Sequence, residues 1–93
     1  MEPAKVVEKK FVIRGKLGLH ARPAALLVRT ANRFQSDITI RKGKQKVNGK
    51  SIMGVMMLAA GSGSHLTIRI VGPDALRAMA EIEKLLDRNF GED

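Results

Sequence analysis

The chain has 93 residues and a formal net charge of +8, from 17 lysines and arginines against 9 acidic residues. This length suits one small domain, residues 1–93, and a hydrophobic content of 44% excludes a disordered chain. The absence of cysteine excludes disulfides and thiolate metal sites, and the lack of an apolar membrane span or secretion signal favours a cytoplasmic protein.

The first third of the chain predicts one strand and one helix. Residues 5–14 show the apolar–polar alternation of a strand, and residues 15–19 form a loop with two glycines. A helix is predicted over residues 21–33, because apolar residues recur there at helical spacing. The predicted buried face of this helix comprises Ala24, Leu27, Val28, Ala31 and Phe34.

Two short strands are predicted next, over residues 38–41 and 45–47, with a hairpin turn between them. Asn48-Gly49 is a strong turn signal. Ser51 then stands where it can cap a short helix that runs through Leu58. This helix has too many apolar residues for one buried face, so some of its methionines are expected to be exposed.

The last third of the chain predicts a strand and a longer helix. Glycine and serine at residues 61–64 form a loop, and residues 66–70 alternate as a strand with one buried face. A turn at residues 72–74 leads into a helix that extends to Asn89. The predicted buried stripe of this helix is Leu76, Met79, Ile82, Leu85 and Leu86.

The predicted element order is β-α-β-β-α-β-α. Four short strands cannot enclose a core alone, so three amphipathic helices must cover one side of the sheet. The predicted fold is therefore α+β, a two-layer open-faced β-sandwich with a four-stranded antiparallel sheet. The uncovered face of the sheet is expected to carry Lys10, Thr39, Arg41, Thr67 and Arg69.

Residues 18–24, Gly-Leu-His-Ala-Arg-Pro-Ala, carry the clearest chemical signal in the chain. A helix is predicted to begin here, with Pro23 in its first turn, so the backbone N–H groups of Ala21 and Arg22 lack helical acceptors. Those N–H groups and the Arg22 guanidinium can bind phosphate oxygens. The neutral imidazole of His20 is a nucleophile. Together the imidazole, the N–H groups and the guanidinium predict a phosphoryl-accepting site. The alternative is that His20 only caps the helix or lies exposed to solvent, with no function.

Other chemistry is not indicated by the sequence. No second histidine or carboxylate stands near His20 in sequence, and the glycine–serine loop leads into a strand, unlike a P-loop. His65 has no neighbour at metal-ligand spacing, so no metal and no cofactor are expected. A carrier that cannot bind a nucleotide needs other proteins to load and unload it, so we expect no enzyme activity of its own.

Residues 18–24 resemble the active-site motif of the HPr phosphocarrier family, which belongs to the bacterial phosphoenolpyruvate-dependent phosphotransferase system. Residues 48–56, Asn-Gly-Lys-Ser-Ile-Met-Gly-Val-Met, resemble the regulatory-serine segment of the same family. The resemblance covers residues 9–89 and suits the predicted element order. It leaves open whether the chain belongs to the sugar branch or to the nitrogen-related branch.

The resemblance implies a role for each motif. His20 would be phosphorylated on Nδ1 by phospho-enzyme I and would pass the phosphoryl group to an enzyme IIA domain, with Arg22 stabilising the phosphate. Ser51 would be the target of HPr kinase/phosphorylase in the branches that use this serine. From the residues alone, Ser51 is equally explained as a helix cap. The expected protein is a monomeric carrier.

A docking surface for partner proteins is predicted on the short helix. Met53 and Met56, if exposed, suit an adaptable apolar contact, and Lys50 and Arg29 are expected to frame it with charge for an acidic partner. The alternative is that these methionines fill the core.

Two other functions fit parts of the sequence. A basic nucleic-acid-binding domain would explain the net charge of +8, but the chain has no tyrosine or tryptophan for base stacking and only 3 phenylalanines. The densest basic run, residues 41–46, is expected to be a solvated turn. A purely regulatory HPr-like protein would need no nucleophile, which His20 supplies. We therefore expect a phosphoryl carrier with no nucleic-acid partner and no membrane insertion.

Overall fold

A computed structural model describes residues 5–91. Strands and helices follow one another in the predicted order, with an unanticipated short 3-10 turn at Asn89–Gly91. The strands are β1 (Lys5–Val12), β2 (Asp37–Lys42), β3 (Gln45–Asn48) and β4 (His65–Gly72). The helices are α1 (Ala21–Ala31), α2 (Ile52–Met57) and α3 (Ala75–Asp87).

The strands form one antiparallel sheet in the order β1-β4-β2-β3. Its register aligns Ile70 of β4 with Val7 of β1 and with Ile38 of β2. Because alternate residues of a strand point to the same face, Ile68 and Leu66 extend this apolar face along β4. Side chains from all three helices join them in one buried cluster. The two-layer α+β fold predicted from the sequence is confirmed.

The two long helices bury stripes of apolar side chains, with one departure from prediction. Leu76 was expected in the stripe of α3, but its side chain is 56% exposed. The buried stripe starts at Ala75, and the next residue along a helix points about 100° away from it. Both helices also end two residues earlier than predicted. The stripe of α3 that the structure shows is Ala75, Ala78, Met79, Ile82 and Leu86.

The start of α3 is tied to the segment before β2 by reciprocal hydrogen bonds. The Asp74 carboxylate accepts from the backbone N–H groups of Gln35 at 2.9 Å and Ser36 at 3.0 Å. The Ser36 hydroxyl donates to Asp74 Oδ1 at 2.5 Å and accepts from the Asp74 N–H at 3.2 Å. These donors, the Ser36 hydroxyl above all, lower the pKa of Asp74 from 3.8 to about 2.

We expect these Asp74 bonds to make the stability of the fold depend on pH. Because the pKa of Asp74 is lowered in the folded state, the stabilisation is present above about pH 4 and is lost as the pH falls towards 2. Asp74→Asn should lower the free energy of unfolding at neutral pH and flatten its decline in acid. Urea denaturation at a series of pH values measures both effects.

The control variant is Asp37→Asn. Asp37 is exposed on β2, and its carboxylate has no hydrogen-bond partner within residues 5–91. If Asp74→Asn and Asp37→Asn gave the same pH profile, the role assigned to Asp74 would be wrong.

Candidate functional site

His20 stands where the loop after β1 becomes α1. Its backbone is extended, with φ −79° and ψ −172°, and its carbonyl accepts the first helical hydrogen bond, from Ala24 N–H at 2.9 Å. The imidazole is half-buried and makes no capping hydrogen bond to the helix. The ring therefore lies at a helix N-terminus without capping it through a side-chain hydrogen bond.

The first turn of α1 leaves two backbone donors for a ligand. Ala21 and Arg22 are exposed, and their N–H groups have no acceptor within residues 5–91. Pro23 follows them and has no N–H to satisfy. The first turn contains no acidic residue, so the positive end of the helix dipole favours an anion here. Arg22, an exposed residue of the same turn, adds a full positive charge to this end of the helix.

The loop that carries His20 is fixed against the segment that follows α2. Leu19 N–H donates to the Ala60 carbonyl at 2.7 Å, and the Leu19 side chain is buried. Gly18 has a φ of +69°, and a Cβ added there would lie 2.5 Å from the Ala60 carbonyl oxygen. Glycine alone satisfies both the backbone angle and the close approach. The contact between these two segments sets the position of His20.

A shallow depression of about 230 Å³ opens beside the His20 ring. Larger hollows, of about 450 and 460 Å³, lie over β2 and β3 and at the start of α3. The site is therefore distinguished by its chemistry and not by its size. Apart from His20, the residues that line the depression are Leu17, Leu19, Met56, Ala59, Ala60 and Gly61.

An exposed apolar surface adjoins this depression. α2 buries only Val55 fully, and Met53 is 72% exposed, so the structure places Met53 and Met56 on the surface and not in the core. Leu17, in the loop before His20, is 76% exposed and lines the depression together with Met56. No sequence pattern had pointed to Leu17. We call this surface the methionine patch, and it comprises Leu17, Ile52, Met53, Met56 and Met57.

The polar residues expected around the methionine patch have different surroundings. Arg29 is exposed in the last turn of α1. The Lys50 ammonium donates to the Phe34 carbonyl at 2.6 Å, so it ties the chain after α1 to the start of α2. Lys50 is thus engaged within the protein, and its role in partner binding stays a prediction. Ser51 caps α2, because its Oγ accepts from Gly54 N–H at 3.1 Å.

The C-terminal end of α2 is closed by two side chains from the β2–β3 hairpin. The Lys42 ammonium donates to the carbonyls of Leu58 and Ala59, both at 3.1 Å. Gln45 Nε2 donates to the Met57 carbonyl at 3.2 Å. A cation at this position also opposes the negative end of the helix dipole.

Sequence reasoning missed this role of Lys42, which lies in the basic run that was expected to be a solvated turn. Lys42 follows Ile40 by two residues, and Ile40 is buried. Strand alternation therefore directs the Lys42 side chain towards the helices. That alternation was the signal available in the sequence. Through Ala59, Lys42 supports the segment whose next residue, Ala60, holds Leu19.

Lys42→Met should lower the free energy of unfolding by about 1 kcal/mol, because two carbonyls at the end of α2 lose a charged donor. It should also speed amide hydrogen exchange in residues 58–61, beside His20. Urea denaturation and exchange measured by NMR test the two effects. Lys44→Met is the control, since the Lys44 side chain has no partner within residues 5–91. Equal behaviour of the two variants would contradict the role of Lys42.

A profile of the family described as PTS-HPr, PTS HPr component phosphorylation site, matches residues 7–88. The chain belongs to the HPr family. The match includes all of the sheet except the first two residues of β1, all three helices and the segment that carries His20.

Relatives and a solved structure agree with this assignment. The phosphocarrier protein HPr of Treponema pallidum is 46% identical over 88 residues, 95% of this chain and 100% of that protein. The HPr-like protein Crh of Halalkalibacterium halodurans is 49% identical over 83 residues, 89% of this chain and 99% of that protein. The crystal structure of HPr from Thermoanaerobacter tengcongensis matches with a TM-score of 0.90 at 42% identity, over 94% of this chain and 98% of that chain. The protein is a phosphocarrier of the phosphotransferase system, a carrier and not a catalyst.

The monomer expected from the sequence finds no support in these relatives. A second structure from Thermoanaerobacter tengcongensis, described as an HPr dimer, matches with a TM-score of 0.76 at 44% identity, over 88% of this chain and 94% of that chain. The monomeric state stays a prediction. Among residues 5–91, no helix is long and apolar enough to cross a membrane, and no three potential ligand side chains are grouped to hold a metal ion.

Proposed function

We propose that His20 accepts a phosphoryl group from phospho-enzyme I and passes it to an enzyme IIA domain. The observation that carries this proposal is that His20 immediately precedes α1, whose first turn offers two backbone N–H donors and contains Arg22. Family membership supports it, because the relatives are phosphocarriers.

The transfer needs a nucleophile and a place for negative charge. A lone pair of the neutral imidazole, at Nδ1, attacks phosphorus while the bond from phosphorus to the donor atom of enzyme I breaks. Charge spreads over the three phosphoryl oxygens in the transition state. The N–H groups of Ala21 and Arg22 and the Arg22 guanidinium are placed to stabilise it. Transfer to the IIA domain reverses the step, with His20 as the leaving group.

The surroundings of His20 favour phosphoryl transfer between proteins over binding of a small-molecule substrate. The depression of about 230 Å³ is smaller than the roughly 300–1,000 Å³ of pockets that enclose small ligands. The methionine patch beside it offers an apolar contact for a protein. The patch would dock enzyme I and the IIA domain, with Arg29 supplying charge at its border, and the carrier would work only with these partners.

Incubation with enzyme I and labelled phosphoenolpyruvate should place one acid-labile, base-stable phosphoryl group on His20. His20→Ala should abolish the label and leave the fold intact, whereas His65→Ala should retain the label. Arg22→Gln should slow loading roughly tenfold or more, because it removes a charge-assisted donor. Mass spectrometry locates the label, and circular dichroism checks the fold.

Two outcomes would overturn the proposal. Label that survives in His20→Ala would mean that another residue is the acceptor. Binding of enzyme I without any label would instead favour a regulatory HPr-like protein. If the label is found on His20, onward transfer to IIA domains of the sugar and nitrogen-related branches identifies the branch.

We also propose that an HPr kinase/phosphorylase phosphorylates Ser51 and thereby weakens docking. Ser51 immediately precedes α2, and Met53 of the methionine patch is two residues away. A phosphate there would add roughly two negative charges beside an apolar surface, which disfavours a partner that needs that surface. The cap to Gly54 N–H supports the alternative that Ser51 has a structural role only.

Met53→Glu should raise the KM of enzyme I for the carrier roughly tenfold with little change in kcat, because a charge is buried when the partner docks. Ser51→Asp should act in the same direction. Leu76→Glu is the matched control, since Leu76 is an exposed leucine on α3 that lines a different hollow. Steady-state loading kinetics provide the measurement.

Loading by Met53→Glu at the wild-type KM would exclude the methionine patch as the docking surface. Loading by Ser51→Asp at the wild-type KM would count against the regulatory role of Ser51 alone.

A further inference from the structure

The uncovered face of the sheet carries a row of basic side chains. The strand register places Lys10 of β1, Thr67 of β4, Arg41 of β2 and Lys46 of β3 in one rung. Neighbouring strands lie about 4.8 Å apart, so the four residues span about 15 Å. All four point to the side opposite the helices. We call this row the basic rung.

No carboxylate within residues 5–91 forms an ion pair with these cations, and the two carboxylates on the same face, Glu8 and Asp37, lie in other rungs. The one ion pair in that part of the chain, Lys9 with Glu83, joins β1 to α3. The side chains of Lys10, Arg41 and Lys46 have neither a carboxylate nor a hydrogen-bond partner there. They are therefore available to a ligand.

The arrangement of the basic rung is unfavourable for the fold alone. Arg41 and Lys46 lie directly opposite each other, and like charges in that position destabilise a sheet. In the next rung of the same face, Glu8 lies opposite Arg69, which is the stabilising arrangement. The Arg41–Lys46 pair thus lowers stability, and a binding role would account for its presence.

The same face is partly apolar. Val6 and Val12 are 55% and 47% exposed, and alternation along β1 places both on the side of Lys10. The hollow of about 450 Å³ over β2 and β3 is lined on this face by Thr39, Asn48 and Lys46, and by one carboxylate, that of Asp37. Cations beside methyl, hydroxyl and amide groups match a protein surface that is rich in carboxylates.

A nucleic acid matches this face less well. Bases bind to sheets by stacking on exposed aromatic rings. Phe11 lies on the helix-covered face, and Phe34 and Phe90 are buried in the core. Phosphate contacts alone would remain, and they would leave the exposed valines unused.

We propose that the open face, centred on the basic rung, docks a carboxylate-rich surface of a partner protein. This docking is separate from phosphoryl transfer, because α1 and the methionine patch lie on the other side of the sheet. A partner bound to the open face leaves His20 accessible to enzyme I. The proposal assigns a function to positive charge that neither the core nor the carrier site uses.

Titration with poly-L-glutamate of about 20 residues, at about 150 mM salt to screen weak attraction, tests the proposal by NMR. The amide shifts should be concentrated on the basic rung. Arg41→Gln/Lys46→Gln should raise the Kd at least about fivefold. Arg77→Gln/Lys84→Gln removes the same charge from α3 and should change the Kd less than about twofold. Loading of His20 by enzyme I should be unchanged in both double variants.

Several results would overturn the proposal. An equal rise in the Kd for poly-L-glutamate in the two double variants would show that the peptide responds only to the net charge of the protein. If poly-L-glutamate did not bind, or if the amide shifts were confined to the methionine patch, the open face would not be a docking site for carboxylate-rich surfaces. Tighter binding of a single-stranded oligonucleotide of the same charge would assign the face to nucleic acid. A failure of wild-type His20 loading would refute the carrier proposal and leave this one standing.

Lys46→Glu tests the premise that the basic rung is unfavourable for the fold. It converts the like-charge pair with Arg41 into an opposite pair, so the melting temperature should rise by about 1–5 °C. Lys44→Glu makes the same charge change at the hairpin tip and should raise the melting temperature less than Lys46→Glu does. A fall in the melting temperature of Lys46→Glu would remove the argument from stability.

Discussion

The hydrogen bond from Leu19 N–H to the Ala60 carbonyl joins the two segments that position His20, the proposed phosphoryl acceptor. Gly18 lets the two backbones approach this closely, and Lys42 donates to the two carbonyls just before Ala60. The His20 ring is thereby fixed relative to the N–H groups of α1. Phosphoryl transfer leaves a protein little to do beyond positioning and charge stabilisation, so this contact is where the fold contributes most to function.

Much of the fold and the centre of the site could be predicted because their signals are local. Strand alternation and helical spacing are read within a few residues, and Pro23 marks a helix start beside His20. Leu76 was misplaced because large apolar residues were favoured over the alanines that line the real stripe of α3. The contacts of Lys42 and Lys50 depend on carbonyls at least 16 residues away, and no local pattern reports such partners.

The positive charge of the chain has several distinct uses. Three cations lie at the C-terminal ends of helices: Lys50 binds a carbonyl just after α1, Lys42 closes α2, and Arg14 Nη2 donates to the Leu86 and Asp87 carbonyls of α3. Each opposes a helix dipole and satisfies carbonyls that have no helical partner. Arg22 stands at the opposite, electropositive end of α1. The cations of the open face belong to neither group.

The pairing of β1 with β4 has a consequence for synthesis of the protein. His20 leaves the ribosome about 40 residues before Ala60, so Leu19 cannot be held until Ala60 has emerged, and β1 has no neighbouring strand until β4 is complete at Gly72. A growing polypeptide therefore exposes the histidine on an unanchored segment. Only when β4 has been made can the segment that carries His20 reach its final position.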